Sequence, residues 1–319
     1  MRYFDLHCDT VTHANNSGWD LDASELAASL AHRGDGKKMA SYIQAHAIWI
    51  PDHYRGKAAV SYYEDNLAYY RRQIEKFPCL HPVASREQLK AMAEENEQAA
   101  VGSLLAVEGG AVLAGDPDRL DLLWRDGVRL ITITWNGENE LACGISNQEM
   151  GLTTVGQRVI DRMSRMGMGI DLSHISDRSF YQVAERTDGP LLASHSCSRA
   201  LCGHPRNLTD DQFRILVEKK GLVGINFSAA FLNNNREKAC LEDAVRHILH
   251  FLELGGEDIL SLGSDFDGTS IPEEFDSLAK VDRIYNALLD HGCGKAVTDK
   301  IFFDNADRYF LKWLPEERL

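Results

Sequence analysis

The 319-residue sequence lacks the marks of a secreted or membrane-spanning protein. Its seven cysteines form an odd set without a CxxC pair, which favours neither a disulfide framework nor a cysteine-rich zinc site. The N-terminus has no basic head followed by an apolar run, and no apolar stretch approaches the roughly 20 residues that a bilayer-spanning helix needs. We therefore expect a cytoplasmic protein with reduced thiols and no membrane partner.

Positively charged residues are also scarce, with 34 lysines and arginines against 48 aspartates and glutamates and a formal net charge of −14. The basic residues are scattered, and the stretch around Lys37 and Lys38 is predicted to be a short polar loop. Because nucleic-acid binding depends on a lysine- and arginine-rich surface, we expect no nucleic-acid partner. The sequence leaves the oligomeric state open, with a homodimer as one option.

No linker, low-complexity tract, composition shift or internal repeat divides the chain. Hydrophobic residues make up 44% of it and charged residues 26%, which is ordinary for a globular protein with a sizeable core. Since α/β barrels routinely run past two hundred residues as one unit, we predict a single domain over residues 1–319.

Short apolar runs alternate along the chain with longer amphipathic segments. Most of these runs are continuous rather than strictly alternating, which is typical of strands covered on both faces. The predicted strands cover residues 2–6, 43–49, 101–107, 128–134, 167–173, 190–194, 222–228 and 258–264.

Helical patterns lie between these strands, for example over residues 62–77, 153–167, 209–221 and 241–256. Thr209 or Asp210 is predicted to cap the third of them, and Gly221 and Gly255 are predicted to follow the ends of the last two. Eight strands joined by helical crossovers predict an α/β protein with a parallel (β/α)₈ TIM barrel. A doubly wound open sheet is the alternative, because strand count alone does not prove closure.

Polar residues suited to metal binding follow five of the predicted strands. In such a barrel the active site forms at the carboxyl ends of the strands, so these side chains are expected to converge. In "FDLHCDT", residues i and i+2 of an extended strand point to the same side, and both can reach one ion. The converging set is His7, Asp9, Glu108, His174, His195 and Asp265.

The size of this set indicates two metal ions, because two histidines and one carboxylate suffice for a single zinc with an open position. Glu108 offers two oxygens and can bridge a metal pair. That leaves His7 and Asp9 for one ion, and His174 and His195 for the other. Two divalent ions roughly 3.5–4 Å apart can hold a hydroxide, polarise a carbonyl and neutralise a tetrahedral intermediate, which predicts hydrolysis.

Several longer stretches carry a family resemblance. They read "DLHCDT", "VEGG" at 107–110, "GQRVIDRMSRMGMGIDLSH" at 156–174, "SHSCSRALCGHPRNLTDDQ" at 194–212, "GSDFDG" at 263–268 and "DNADRYF" at 304–310. In order and across nearly the whole chain, they resemble the membrane, or renal, dipeptidases, a group of dinuclear-zinc TIM-barrel hydrolases. The resemblance implies two zinc ions and a hydroxide that bridges them. The implied zinc ligands are His7, Asp9, Glu108, His174 and His195.

The resemblance also implies two residues that act on the substrate. Arg206 in "HPRN" is expected to bind the free carboxylate, and a guanidinium fork at this place would explain a preference for dipeptides over longer chains. Asp265 in "SDFDG" is expected to handle the proton of the attacking water and the leaving amine. Asp267 is the second candidate for that proton, although it is also suited to bracing the loop.

The chain departs from the family pattern in "TITWNGEN", where Trp135 stands in place of a substrate-contacting histidine of the animal enzymes. The resemblance implies that this histidine stabilises the oxyanion, so another group has to do so here. Asn136, Asn139 or a metal ion are the candidates. Loss of one oxyanion donor without a replacement typically costs about 10²–10³ in rate.

Other potential ligands are predicted to have packing roles. His247 and His250 lie three apart in one helix and imitate a ligand pair, but that helix is expected on the outside of the barrel. Cys8 and Cys197 flank predicted ligands and are expected to pack in the core.

The leading hypothesis is therefore a metal-dependent dipeptidase. A related amidohydrolase acting on another small amide or a cyclic amide is the second hypothesis. The third, motivated by Trp135, is a metal-binding barrel without turnover.

Overall fold

The computed structural model describes residues 1–20, 39–93 and 100–317. The predicted polar loop around Lys37 and Lys38 lies outside these ranges. In the described residues, all strands run parallel in one sheet. The strands are β1 (Arg2–Cys8), β2 (Ser41–Trp49), β3 (Leu80–Pro82), β4 (Val101–Glu108), β5 (Val128–Thr132), β6 (Gly169–Asp171), β7 (Leu191–Ala193), β8 (Leu222–Ile225) and β9 (Leu260–Leu262).

Eight of these strands close into a barrel. β1 pairs with β2 on one side and β9 on the other, and β2 pairs directly with β4. The remaining neighbours follow chain order from β4 to β9. The predicted (β/α)₈ barrel is thereby confirmed, and the alternative of a doubly wound open sheet is wrong. Each predicted strand matches one strand of the barrel.

The strand β3 lies outside the predicted set. It pairs only with the first residues of β4, from Leu80 opposite Val101 to Pro82 opposite Ser103. Further along, from Leu105 onward, the same edge of β4 pairs with β5. β3 therefore extends the sheet at the amino end of β4 without interrupting the barrel.

Helices connect the strands and cover the outside of the barrel. They are α1 (Thr10–Ser17), α2 (Lys57–Lys76), α3 (Arg86–Ala93), α4 (Leu120–Asp126), α5 (Thr154–Met166), α6 (Asp177–Arg186), α7 (Asp210–Glu218), α8 (Ala229–Leu232), α9 (Leu241–Glu253), α10 (Asp282–Asp290), α11 (Lys295–Asp299) and α12 (Asn305–Trp313). A π-helical segment, Lys300–Asp304, joins α11 to α12. Of the described helices, none is long and apolar enough to cross a bilayer.

The predicted helix ends agree with the structure. Thr209 caps α7 in a full capping box with Gln212, and Gly255 adopts a left-handed conformation after α9. Gly221 also follows the end of α7, but the left-handed conformation there belongs to Lys220, with φ of 53°. Gly221 is needed for space instead, because a Cβ there would lie 2.9 Å from the backbone oxygen of Leu191.

The interior of the barrel is apolar at the end where the strands begin. Side chains from six strands pack there with α12, and the ring of Phe4 stacks on Phe310 at 5.3 Å between centroids. Phe303 packs against the same Phe4 ring. The C-terminal segment thus closes this end of the barrel, and the opposite end carries the polar residues.

Candidate metal centre

The first strand brings an imidazole and a carboxylate to the open end of the barrel. Leu6 packs in the inner layer, but the register of β1 with β2 shifts between Asp5 and Cys8. This irregularity changes the alternation, so that His7 turns inward and Cys8 packs in the outer layer. Oδ2 of Asp9 lies 3.6 Å from Nε2 of His7, so both side chains reach one place.

Glu108, at the end of β4, lies between two groups of histidines. Its Oε1 lies 2.8 Å from Nε2 of His174 and 3.5 Å from Nε2 of His195. Its Oε2 lies 3.7 Å from Nε2 of His7. Because the two oxygens face different imidazoles, the carboxylate has the orientation that a bridging ligand requires.

The hydrogen bonds of two histidines assign their tautomers. Ser194 donates its hydroxyl proton to Oδ2 of Asp171 at 2.6 Å, so Nδ1 of His195 must donate to the Ser194 oxygen, also at 2.6 Å. Nδ1 of His174 donates to Oδ1 of Asn136 at 2.8 Å. Each histidine therefore presents a bare Nε2, and these two nitrogens lie 3.0 Å apart.

The converging lone pairs of these nitrogen and oxygen atoms indicate a cation site. Ligand atoms of His7, Glu108 and His195 lie within 4.8 Å of one another, and so do those of His7, Asp9 and Asp265. Nε2 of His7 and Oδ1 of Asp9 are also buried without a hydrogen-bond partner in the described residues. Nitrogen and carboxylate ligands of this kind suit zinc, and the two overlapping groups suit a pair of ions.

Burial also shifts the pKa values of the ionisable groups in this site. Burial raises the pKa of Glu108 well above its usual range and that of Asp265 to about 6, because each carboxylate has lost its water. Burial likewise lowers the pKa of His174 and His195 well below the usual range. Burial alone would lower the pKa of His7, but the charges of Glu108 and other nearby acids raise it to about 10.

Asp265 belongs to this cluster through the backbone as well as the side chain. Its amide donates to the carbonyl of His7 at 3.1 Å, and its Oδ2 accepts from Nδ2 of Asn226 at 2.9 Å. Asp267 accepts a hydrogen bond from Thr10 and lines the adjoining cavity. The structure thus places Asp265 beside the predicted ligands and gives Asp267 a contact that braces the loop.

Backbone strain is concentrated at the same place. His174, Asp265 and Asp267 have φ of 66°, 62° and 70°, and they are three of the five non-glycine residues with positive φ in the described chain. Each such conformation costs roughly 1–3 kcal/mol, and residues of this kind cluster at functional sites.

A cavity of about 380 Å³ opens above the cluster. Asp9, Glu108 and Asp265 form its acidic floor, whereas Trp49 and Trp135 contribute an apolar wall. The two indole rings meet edge to face, with centroids 4.9 Å apart. This volume and mixed lining are suitable for a small polar molecule with an apolar side chain.

Arg206 lies behind the cluster rather than in the lining of this cavity. Its Nη2 donates to the backbone oxygen of His195 at 3.0 Å, and its Nη1 donates to Oγ of Ser196 at 3.4 Å. Nε is buried without a partner in the described residues, and the side chain is 3% exposed. The role of Arg206 in binding a carboxylate therefore stays a prediction.

The two histidines of α9 stay outside the cluster, as predicted. Nδ1 of His247 accepts from the Ser198 amide at 3.0 Å, and its Nε2 donates to the Leu232 carbonyl at 3.0 Å. Nε2 of His250 lies 2.8 Å from Oδ1 of Asp210. Both imidazoles therefore support the packing of α9.

Several supporting residues were not predicted from the sequence. Asp171, Ser194 and Asn226 form a polar layer below the ligands, and their pairing depends on which strands are neighbours. Gly268 is a further case, because a Cβ there would lie 2.0 Å from Oδ2 of Asp9. The glycine that ends "GSDFDG" was the available signal for this close approach.

Comparisons with known proteins identify the family and the fold of the chain. Residues 1–312 match the family model described as membrane dipeptidase, peptidase family M19. An uncharacterised Klebsiella pneumoniae protein, encoded in the region 5′ of pqqA, is 34% identical over 236 residues. This match covers 70% of the present chain and 87% of the Klebsiella protein.

The dipeptidase aclJ of Aspergillus oryzae is 36% identical over 197 residues, which is 60% of this chain and 47% of the fungal protein. The chain thus spans about half the length of that relative. A crystal structure of a Rhodobacter sphaeroides metallopeptidase, liganded with a phosphinate mimic of L-Ala-D-Ala, superposes with a TM-score of 0.88. It is 23% identical and is covered to 99%, with 98% of this chain aligned, so the fold is shared throughout.

Proposed function

The chain belongs to the membrane dipeptidase family, peptidase family M19, and from this premise we propose that it hydrolyses the peptide bond of dipeptides with two zinc ions. Family membership makes it a metal-dependent hydrolase. The observation that carries the finer proposal is Glu108, whose oxygens face His7 on one side and His174 and His195 on the other.

The proposed ligands fall into two sets that share Glu108. His7 and Asp9 would hold one ion, and His174 and His195 would hold the other. When bound, two zinc ions supply an activated water at neutral pH and polarise the scissile carbonyl.

Asp265 performs the proton transfer in this proposal. As the water oxygen adds to the carbonyl carbon, Asp265 takes the water proton, and it then gives a proton to the amine nitrogen while the C–N bond breaks. Asn226 holds Oδ2 of this carboxylate, and Asp265 lines the cavity where the substrate would bind. Arg206 is proposed to bind the free carboxylate of the dipeptide.

We also place this activity in the cytoplasm. All seven cysteines are free thiols in the structure, which supports a reducing compartment.

The test combines metal analysis with a substrate panel. Purified protein is assayed on dipeptides, including L-D isomers, and on cyclic amides and lactones, before and after chelation. We expect two zinc ions per chain and dipeptide hydrolysis that chelation abolishes and zinc restores. Glu108→Gln should lose bound zinc and activity together, whereas Glu149→Gln, at an exposed acid, should lose neither.

Two results would contradict the proposal. Full activity after complete metal removal rules out the mechanism. Bound zinc without hydrolysis of any dipeptide rules out the substrate, and turnover of a cyclic amide would then identify a related amidohydrolase.

A further inference from the structure

The cavity above the metal centre is rich in hydrogen-bond acceptors. Four carboxylates line it, and ionised carboxylates accept hydrogen bonds but cannot donate them. Hydrolysis of a peptide bond places negative charge on the scissile carbonyl oxygen, and enzymes stabilise that charge with preorganised donors. A donor close to the cluster would share the stabilisation of this oxygen with the bound metal.

Asn136 lines the cavity and contacts the cluster directly. Its Oδ1 accepts the hydrogen bond from Nδ1 of His174 at 2.8 Å, which fixes the orientation of the amide. In the described part of the chain, no hydrogen bond joins Nδ2 of Asn136 to another residue. This side chain thus has two unused N–H donors beside a predicted metal ligand.

The loop that carries Asn136 is held rigidly. The amide of Ser146 donates to the Asn136 carbonyl at 2.9 Å, and Oδ2 of Asp52 accepts from the Gly137 amide at 2.8 Å. A Cβ on Gly144 would lie 2.0 Å from the Trp135 backbone oxygen, so the loop closes tightly on itself. Asn136 is therefore oriented before any substrate binds.

The neighbouring amide, Asn139, makes its hydrogen bonds within its own loop. Its Nδ2 donates to the Ile133 carbonyl at 2.8 Å, and its Oδ1 accepts from the amides of Leu141 and Ala142. The side chain is 7% exposed and braces the loop. Asn136 belongs to the lining of the cavity and Asn139 does not, so Asn136 is the amide that can meet a substrate there.

We propose that Asn136 is a catalytic residue whose Nδ2 donates a hydrogen bond to the scissile carbonyl oxygen as that oxygen becomes negative. At the same time, its Oδ1 holds His174 in the tautomer that presents Nε2 to the metal. The first role rests on the proposed function, whereas the second depends on metal binding alone.

Two substitutions separate the roles. Asn136→Asp keeps an oxygen acceptor for His174 but removes the N–H donors, and Asn136→Ala removes both. Asn235→Asp changes an exposed asparagine and controls for the added charge. Each zinc-loaded variant is assayed for kcat and KM on a dipeptide and for affinity toward a phosphinate dipeptide analogue, and zinc affinity is measured by chelator competition.

We expect kcat and phosphinate affinity to fall about 10²–10³-fold in both Asn136 variants, with KM little changed. Zinc affinity should fall about 10–100-fold in Asn136→Ala and stay near the parent value in Asn136→Asp. A loss of phosphinate affinity shared with the uncharged alanine variant cannot arise from added charge.

Parent-level kcat and phosphinate affinity in Asn136→Asp would overturn the donor role. Unchanged zinc affinity in Asn136→Ala would overturn the positioning role. If the parent protein binds zinc but cleaves no dipeptide, the proposed function and the donor role fail together, and the zinc measurement still decides the positioning role.

Discussion

Ser194 connects a buried carboxylate to a predicted metal ligand. Its hydroxyl donates to Asp171 and accepts from Nδ1 of His195, so His195 can offer only Nε2 to a metal. Ser194→Ala removes this constraint, and we expect zinc affinity to fall about 10–100-fold because outer contacts of this kind orient metal ligands. Chelator competition measures the change.

The matched control for that experiment is Ser261, a serine in β9. It is fully buried, and its Oγ has no hydrogen-bond partner in the described residues. Ser261→Ala therefore removes the same atom without disturbing a ligand. Equal zinc affinity in the two variants would show that Ser194 does not position His195.

Arg206 has two possible roles, structural support and substrate binding, and kinetics on a dipeptide and its C-terminal amide can separate them. Its guanidinium supports the backbone of His195, yet its predicted role is to bind a free carboxylate. If that role is correct, Arg206→Lys should raise KM for a dipeptide about 10–100-fold, because a charge-assisted hydrogen bond contributes about 1.5–3 kcal/mol. KM for the C-terminal amide of the same dipeptide should change little.

The amide therefore serves as the internal control of the Arg206 experiment. An equal loss on the acid and the amide would assign Arg206 a purely structural role beneath His195.

At the scale of single residues, the sequence predicts ligands better than their supports. His174 and Glu108 follow strands of an anticipated barrel, so their convergence depends only on the fold. Asn136 and Ser194 act through contacts between neighbouring loops and strands. The spacing of residues along the chain does not reveal the geometry of these contacts.

At the scale of elements, apolar strands and amphipathic helices were predictable, even where the strand is only three residues long, as in β6, β7 and β9. β3 differs because it has one buried residue, an exposed His81 and a terminal proline, so it offers no apolar run to detect. The shift within β1 is likewise invisible in the sequence, although it is what turns His7 inward. Lys220 takes a left-handed conformation that glycine usually supplies, and a lysine gives no sign of it in the sequence.

The helix α9 is anchored by a neutral histidine, which makes stability dependent on pH. Burial lowers the pKa of His247 to about 4, against about 6.5 in an unfolded chain. Between these values the unfolded state binds a proton that the folded state does not, so stability is complete above pH 6.5 and declines as the pH falls toward 4. From pH 7 to pH 5 we expect a loss of about 2 kcal/mol from this residue.

Urea unfolding of the parent and His247→Asn at both pH values measures this contribution. The variant should be less stable at pH 7, but its loss on going to pH 5 should be smaller by about the same 2 kcal/mol. His81→Asn, at an exposed imidazole, should lose as much stability between pH 7 and pH 5 as the parent does. If His247→Asn loses as much stability between pH 7 and pH 5 as the parent, the neutral histidine is not the cause of the pH dependence.

At the scale of the whole molecule, the barrel interior changes from apolar to polar along its axis. Phe4 and its neighbours fill the end closed by α12, and the layer of Asp171, Ser194 and Asn226 lies above them. The predicted metal ligands lie at the open end, where the carboxylates of Asp9, Glu108 and Asp265 are buried. Folding therefore gathers negative charge at one point, and bound cations should stabilise the folded state.

We expect zinc to raise the free energy of unfolding by about 4 kcal/mol when its free concentration is a thousand times the dissociation constant. The reason is that the unfolded chain lacks the assembled ligands, so binding favours the folded state alone. Thermal unfolding with a chelator and with added zinc measures the effect as a shift of several degrees in Tm. Glu108→Gln removes the bridging carboxylate and should lose most of the zinc-dependent shift, whereas Glu149→Gln should keep it. If zinc leaves the Tm of the parent protein unchanged, or stabilises Glu108→Gln equally, then the strand ends do not form the cation site on which the proposed chemistry depends.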